Sequence, residues 1–280
     1  MNIIDAIITL IRHPVTHLVY HDDHNSNRAN QAGYALEQYI KDLFADSLDC
    51  PTKNERIQRH SQAFSYCGNN NNPPDIMLRN GDAVEVKKIQ SPNADLALNS
   101  SHPKAKLFAD SSMIATDCKN AENWTQKDLI YAVGVVNDRS KLKHLCMVYG
   151  EDYCADEACY ARIKSTIKQG VESISGVEFA STNELGRINR IDPLGITYLR
   201  VRGMWGIANP WKVFDYVYQR DFNKSFNFMC IINEQKWQTL TNRQDLLDIQ
   251  DNNLTIRDVQ IQNPNNPAEL KNAKLIVYSR

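Results

Sequence analysis

The stretch PPDIMLRNGDAVEVKK, residues 73–88, decides the fold because it reads as two β-strands joined by a tight turn. Asn80-Gly81 is a strong hairpin signal between two runs that alternate with period two. The alternation predicts one apolar face, which carries Ile76, Leu78, Val84 and Val86. The opposite face then carries Asp75 on the first strand, and Glu85 and Lys87 on the second. A hairpin here would therefore bring two carboxylates and one amine to the same side of a sheet.

The length of the loop decides whether the two carboxylates meet. A two-residue turn would pair Asp75 with Val86 and set the carboxylates on opposite faces. A three-residue loop at residues 80–82 would pair Asp75 with Lys87 and keep Asp75 and Glu85 on one face, and such loops are the next commonest hairpin connection. We predict the three-residue loop, or a bulge close to Asp75.

Two carboxylates and an amine on one face suit metal-assisted chemistry. Asp75 and Glu85 offer oxygen ligands of the kind that Mg²⁺ prefers. A bound Mg²⁺ activates water and stabilises charge on a phosphate, and the ammonium of Lys87 can position that water. Lys88 adds positive charge where a phosphate would arrive. The alternative is an ordinary hairpin whose charged residues lie on its solvated face.

A helix is predicted within NRANQAGYALEQYIKDLFAD, residues 27–46. Seven apolar residues fall at helical spacing and form its buried stripe: Ala32, Ala35, Leu36, Tyr39, Ile40, Leu43 and Phe44. Glu37 lies at the edge of the stripe, where it could form an i, i+4 pair with Lys41 or face the hairpin. The polar residues at the start of the segment, Arg28 among them, could cap the helix or contact DNA as the helix docks.

The composition is that of an ordinary globular protein. The chain has 280 residues, of which 42% are hydrophobic and 23% charged, and its net charge is −1. It can bury a large core, in one elaborate domain or in two intimately packed ones. No apolar run approaches membrane-spanning length, so no membrane partner is expected. Seven cysteines, an odd number without zinc-type CxxC pairs, favour a reduced, cytoplasmic location.

The rest of the chain predicts an α+β fold with a central mixed sheet flanked by helices. Strand-like runs occupy residues 129–136 and 142–150, and a helix with apolar residues spaced for burial follows, at Tyr160, Ile163, Ile167, Val171 and Ile174. We expect a catalytic core over residues 1–175 and a recognition region over residues 176–280, unless both form one continuous domain. Lys104 is a candidate for contacting phosphates, or else lies on a solvated helix face.

Four arginines of the later region are candidates for reading DNA bases: Arg187, Arg190, Arg200 and Arg202. Alternation in LGITYLRVRGMWG places Tyr198 on the same face as the last two of them. Arginine can donate two hydrogen bonds to guanine, the commonest specific contact in the major groove. The alternative is that these side chains pair with acids or cover apolar neighbours.

Residues 73–88 resemble the core of the PD-(D/E)xK nuclease superfamily. The resemblance implies that Asp75 and Glu85 bind the metal and that Lys87 assists the attacking water. Nucleases of this kind often place a glutamate on the helix that precedes the catalytic strands. Glu37 matches that position and is implied as an accessory ligand.

The likeness to one family is closer and extends over nearly the full length. The segments MNIIDAI, NRANQAGYALEQYIKDLF and YLRVRGMWGI, together with the hairpin, resemble the NgoPII-type family of type II restriction endonucleases. This implies Mg²⁺-dependent cleavage of both DNA strands at a short palindrome, GGCC for that family, and a cognate DNA methyltransferase. Cutting at a palindrome implies a homodimer. The alternatives are a structure-specific repair or junction nuclease and a DNA-binding module without catalytic activity.

Overall fold

The hairpin of residues 73–88 belongs to a mixed sheet of nine strands in the computed structural model of the chain. The structure describes residues 1–14, 17–18, 28–69, 72–137 and 140–280.

The strands of the described ranges have the following bounds: β1 Phe64–Asn69, β2 Asn72–Leu78, β3 Ala83–Ile89, β4 Leu96–Asn99, β5 Lys106–Phe108, β6 Gln126–Val136, β7 Leu142–Tyr149, β8 Glu178–Phe179, β9 Gly186–Asn189, β10 Leu199–Val201, β11 Trp205–Ile207, β12 Asn227–Asn233, β13 Leu254–Asn263 and β14 Asn266–Ser279. The helices are α1 Ile3–Arg12, α2 Arg28–Ala45, α3 Lys53–Ala63, α4 Thr116–Asn120, α5 Gly150–Tyr153, α6 Glu157–Glu172, α7 Pro210–Val213, α8 Glu234–Thr239 and α9 Arg243–Leu247.

The main path of the large sheet runs β1-β2-β3-β6-β7-β12-β14-β13, and β5 pairs with β6. The pairs β3–β6 and β7–β12 are parallel, and the other neighbours on the path are antiparallel. Two smaller sheets lie apart from it, β10-β9-β8 and β11-β4. The predicted fold class, α+β with a mixed sheet flanked by helices, is confirmed. It is consistent with a PD-(D/E)xK-like nuclease core.

Each face of the large sheet packs against its own hydrophobic core. Helices α1 and α2 cover one face, and the whole predicted stripe of α2 is buried there. Residues from α4, α5 and α7 contribute to the core on the other face. Strand residues divide between the cores by alternation: Ile76 and Val84 join the first, and Met77 and Ala83 join the second.

The sheet is continuous across residue 175. Strand β12 pairs with β7 in parallel, and the register joins Phe228 to Leu145. Residues on both sides of position 175 therefore share one sheet and contribute to both of its cores. The division into a catalytic core and a recognition region stays a prediction about function.

Two sequence expectations about local structure are wrong. The apolar positions of α6 are predicted to be buried, but no residue of this helix is fully buried, because it lies at the edge of the fold. Tyr160 is half-buried against the second core, and Val171 lies beside Gly186 of β9. Lys104 was given a solvated helix face as its alternative, but it precedes strand β5 and is buried.

Across the described ranges, no helix is long and apolar enough to span a bilayer.

The close approach of α2 to the sheet gives a test of the packing. A Cβ at Gly134 of β6 would lie 2.6 Å from Cδ2 of Leu36, which is fully buried. We expect Gly134→Ala to cost about 1–3 kcal/mol of unfolding free energy, because the core must shift to accept the added methyl group. Urea unfolding at equilibrium measures this.

Truncation of the opposing side chain supplies the control. Leu36→Ala alone should cost about 2–5 kcal/mol. The double variant should lose less than the sum of the two single losses, because the new methyl group fills space that Leu36 vacates. Additive losses would contradict the close contact.

Candidate active site

The hairpin closes through a three-residue loop, as predicted, but the loop spans Arg79–Gly81. The N–H of Leu78 donates to the carbonyl of Asp82 at 2.9 Å, and Asn80 has a φ of 54°. The register joins Ile76 to Val84 and Met77 to Ala83, and the ladder between the two strands ends before Asp75.

The predicted pairing of Asp75 with Lys87 is therefore wrong. It requires Met77 to lie opposite Glu85, and Met77 pairs with Ala83, two residues earlier. The reason is Asp82. It is predicted to lie in the loop, but it is buried and pairs with Leu78 at the end of the loop. Its carboxylate accepts hydrogen bonds from the hydroxyl of Tyr149 at 2.8 Å and from Nζ of Lys236 at 2.6 Å. Both registers keep Asp75 and Glu85 on one face.

The three predicted catalytic side chains meet in one pocket. The N–H of Val86 donates to Oδ2 of Asp75 at 2.6 Å, and Nζ of Lys87 donates to Oε1 of Glu85. The pocket has a volume of about 140 Å³. Its walls also include Asn72, Pro73, residues 98–102, Lys104, Met113, Leu129 and Tyr131.

The electrostatics of the pocket are those of a crowded anionic site. Burial, reinforced by the charge of Glu85, raises the pKa of Asp75 to about 8. Burial alone would lower the pKa of Lys87, but the carboxylates of Glu85 and Asp75 outweigh it and the pKa is raised. The amine is therefore a cation at neutral pH, held between two acids.

These residues fit a divalent cation. Oε2 of Glu85 is buried and has no hydrogen-bond partner among the residues that the structure describes. A cation between Asp75 and Glu85 would bind this oxygen and remove the repulsion that raises the pKa of Asp75. Within the described ranges, no three His, Cys, Asp or Glu side chains are grouped closely enough to hold a metal. A pair of carboxylates suits Mg²⁺, which usually keeps waters and takes substrate phosphates as further ligands.

Glu37 lies near this site but does not line the pocket. Its carboxylate forms an ion pair with Nζ of Lys41 at 2.6 Å, the i, i+4 alternative of the sequence. Its charge still contributes to raising the pKa values of Asp75 and Lys87. A role as accessory metal ligand stays a prediction.

The residues predicted to contact phosphates lie in different places. Lys104 lines the pocket with the three catalytic candidates. Lys88 is half-buried on β3, and alternation places it on the face opposite Lys87. Arg28 is the first residue of α2, and its side chain lies outside the described part of the structure.

The four arginines expected to read bases lie on or beside the outlying strands β9 and β10. Arg200 and Arg202 both donate to the carboxylate of Glu184, each with one contact of 2.6 Å. The guanidinium of Arg187 lies over the ring of Tyr198, and Nε of Arg190 lies 3.4 Å from Glu178. The expected ion pairs thus form, and contact with DNA stays a prediction.

Tyr131 and His102 are among the residues of the pocket wall that the sequence did not predict. Tyr131 aligns with Glu85 in the parallel pair β3–β6, which joins strands far apart in the chain. In the sequence it is one residue of a buried apolar strand, and no local pattern distinguishes it. His102 stacks on Tyr160, with ring centroids 5.3 Å apart, and likewise follows no motif.

Comparison with known proteins identifies the family of the chain. The family model of the NgoPII restriction endonuclease matches residues 1–262. The chain is 63% identical over 278 residues, 99% of each protein, to the type II restriction enzyme NgoPII of Neisseria gonorrhoeae. No solved structure matches it. Both the family match and the identity extend over nearly the whole chain, and the chain therefore belongs to the NgoPII restriction endonuclease family.

Proposed function

We propose that this endonuclease hydrolyses phosphodiester bonds in both strands of DNA at a short palindrome, GGCC, with Mg²⁺ as its cofactor. The observation that carries the proposal is the convergence of Asp75, Glu85 and Lys87 on one pocket, in a chain that is 63% identical to a type II restriction enzyme. The choice of GGCC rests on the family resemblance.

Each residue of the pocket has a chemical role in this proposal. Asp75 and Glu85 hold Mg²⁺, which supplies charge stabilisation and an activated water when bound. Lys87 orients the water through its ammonium, and the N–H of Val86 fixes the carboxylate of Asp75. Glu37 supports the site from α2.

The wider setting follows from the same proposal. A palindrome presents the same sequence on both strands, so a two-fold homodimer would bring one active site to each strand. Bases would be read from residues 176–280, with Arg187, Arg190, Arg200 and Arg202 as candidates. A cognate methyltransferase would protect the host's own sites. Free thiols at all seven cysteines support a cytoplasmic location.

Plasmid cleavage tests the function directly. Purified protein with Mg²⁺ should cut plasmid DNA into discrete fragments whose ends map to GGCC, and should cut nothing in EDTA. Nicking that depends on DNA junctions would indicate a repair nuclease. Retardation of DNA without cleavage would indicate a binding module. Fragments that map to another sequence would overturn only the choice of GGCC.

Lys87→Ala tests the role of the amine. We expect the single-turnover cleavage rate to fall on the order of 10²–10⁴-fold, because the group that positions the water is lost. Binding of DNA without metal should change little. Lys143→Ala, which removes an exposed lysine of β7, is the control and should cut as the wild type does. Unchanged cleavage by Lys87→Ala would end the assignment.

Asp75→Asn tests metal binding without an activity assay. The pKa of Asp75 is about 8 in the folded protein, whereas that of an aspartate exposed to water in the unfolded chain is 3.8. The folded state therefore binds more protons between these values, and the metal-free wild type loses stability as pH rises from about 4 to about 8. The variant lacks this loss, so it should be the more stable protein at pH 8, and the difference should shrink towards pH 4.

Mg²⁺ should then raise the melting temperature of the wild type at pH 8, because it binds the folded state, and leave that of Asp75→Asn nearly unchanged. Asp215→Asn, which neutralises an exposed acid, should respond to Mg²⁺ as the wild type does. Equal shifts in all three proteins would argue against a site at Asp75.

A further inference from the structure

Lys104 differs from the other deeply buried lysines. Lys41, Lys104 and Lys127 are exposed by 7%, 7% and 6%. Lys41 pairs with Glu37, and Lys127 pairs with Glu122. In the described part of the chain, the ammonium of Lys104 has no carboxylate within 4.0 Å and no hydrogen bond of its own. The side chain is thus largely enclosed by protein, while its ammonium reaches solvent and is available to bind an anionic ligand.

The backbone of Lys104 is fixed to the strand beside Glu85. Its N–H donates to the hydroxyl of Tyr131 at 2.8 Å, and that hydroxyl donates to its carbonyl at 3.2 Å. Tyr131 aligns with Glu85 across the parallel pair β3–β6. Gly150 permits the arrangement, because a Cβ there would lie 2.4 Å from the carbonyl oxygen of Lys104. Packing therefore determines where the side chain begins.

The side chain lies where two cavities meet. Lys104 lines the pocket of Asp75, Glu85 and Lys87, and also a neighbouring cleft of about 600 Å³. His102 is the other residue that both share. The far walls of the cleft carry four carboxylates, so a phosphate would be accepted at the end where the cleft meets the pocket.

In a setting rich in carboxylates, Lys104 is the group at this point that an anion would contact. Burial lowers the pKa of Lys104, and the more distant carboxylates of Glu157 and Glu85 offset only part of that effect. A phosphate oxygen at the ammonium would supply the missing partner. Lys87 cannot take this place as freely, because its ammonium is already bonded to Glu85.

We propose that Lys104 is a further catalytic residue, which donates a hydrogen bond to a nonbridging oxygen of the scissile phosphate. The water oxygen forms the new bond to phosphorus, the bond to the leaving sugar oxygen breaks, and the proton that the water loses is balanced by the one that the leaving oxygen gains. Lys104 transfers no proton. It stays cationic and stabilises the charge on the phosphate as these bonds change. This inference rests on the proposed function.

Lys104→Met tests it, because methionine keeps much of the length and removes the charge. The single-turnover cleavage rate at saturating enzyme should fall by about 10²-fold or more. In EDTA, the slope of log binding constant against log salt concentration should become shallower by about 0.9, the value for one phosphate contact. The melting temperature should not fall, because the ammonium makes no ion pair in the described part of the chain that the substitution would break. Lys143→Met is the matched control and should change none of the three.

A wild-type cleavage rate with an unchanged salt slope in Lys104→Met would refute the proposal. So would a slower rate accompanied by lower melting temperatures in both Lys104→Met and Lys104→Gln, because that result assigns a structural role. Failure of the proposed function has a different signature, since the wild type itself would then cut no plasmid in Mg²⁺. The salt slope and the melting temperature would still report on Lys104 in that case.

Discussion

The register of the β2–β3 hairpin is the constraint on which the site depends. A slip of one residue would place Asp75 and Glu85 on opposite faces and would also expose Ile76. The alternation that buries the core therefore also brings the carboxylates together, and burial enforces the geometry of the site. Asp82 fixes the end of the loop through Tyr149 and Lys236, so the register depends on contacts from distant strands and helices.

This register places like charges together in a buried pocket, which the isolated protein tolerates at a cost. The raised pKa of Asp75 and the unbonded Oε2 of Glu85 express that cost, and the ammonium of Lys104 lies at the same pocket without an ion pair among the described residues. A cation would relieve the cost, and a phosphate would pair with Lys104. A metal ion and DNA would therefore complete the pocket together. Two extensive cores, one on each face of the sheet, stabilise the fold enough to offset the destabilising effect of this site.

The sequence pattern predicted the features that depend on neighbouring residues. Long-range packing determined the hairpin register, the exposure of α6 and the wall of the pocket. Period-two alternation gave the faces of the hairpin, and helical spacing gave the buried stripe of α2. The pairing of Asp75 was wrong because Tyr149 and Lys236, far away in the chain, hold Asp82 out of the loop. The apolar stripe of α6 suggested burial, but spacing cannot tell whether a sheet lies opposite. The sequence did not predict Tyr131 as part of the pocket wall, because a parallel pairing between strands distant in the chain brings it beside Glu85.

Charge pairing also reconciles a net charge of −1 with an enzyme that binds DNA. Arg200 and Arg202 share the carboxylate of Glu184, and Lys106 pairs with Asp128 and Glu151. A cation with an acid beside it attracts bulk DNA more weakly than a free one, because the acid cancels much of its field at distances larger than the ion pair. If Lys104 acts as we propose, its ammonium would act at short range, on a phosphate that has already entered the pocket. Binding energy would then be gained where the strand is cut, and little of it would be lost to adhesion elsewhere along the DNA.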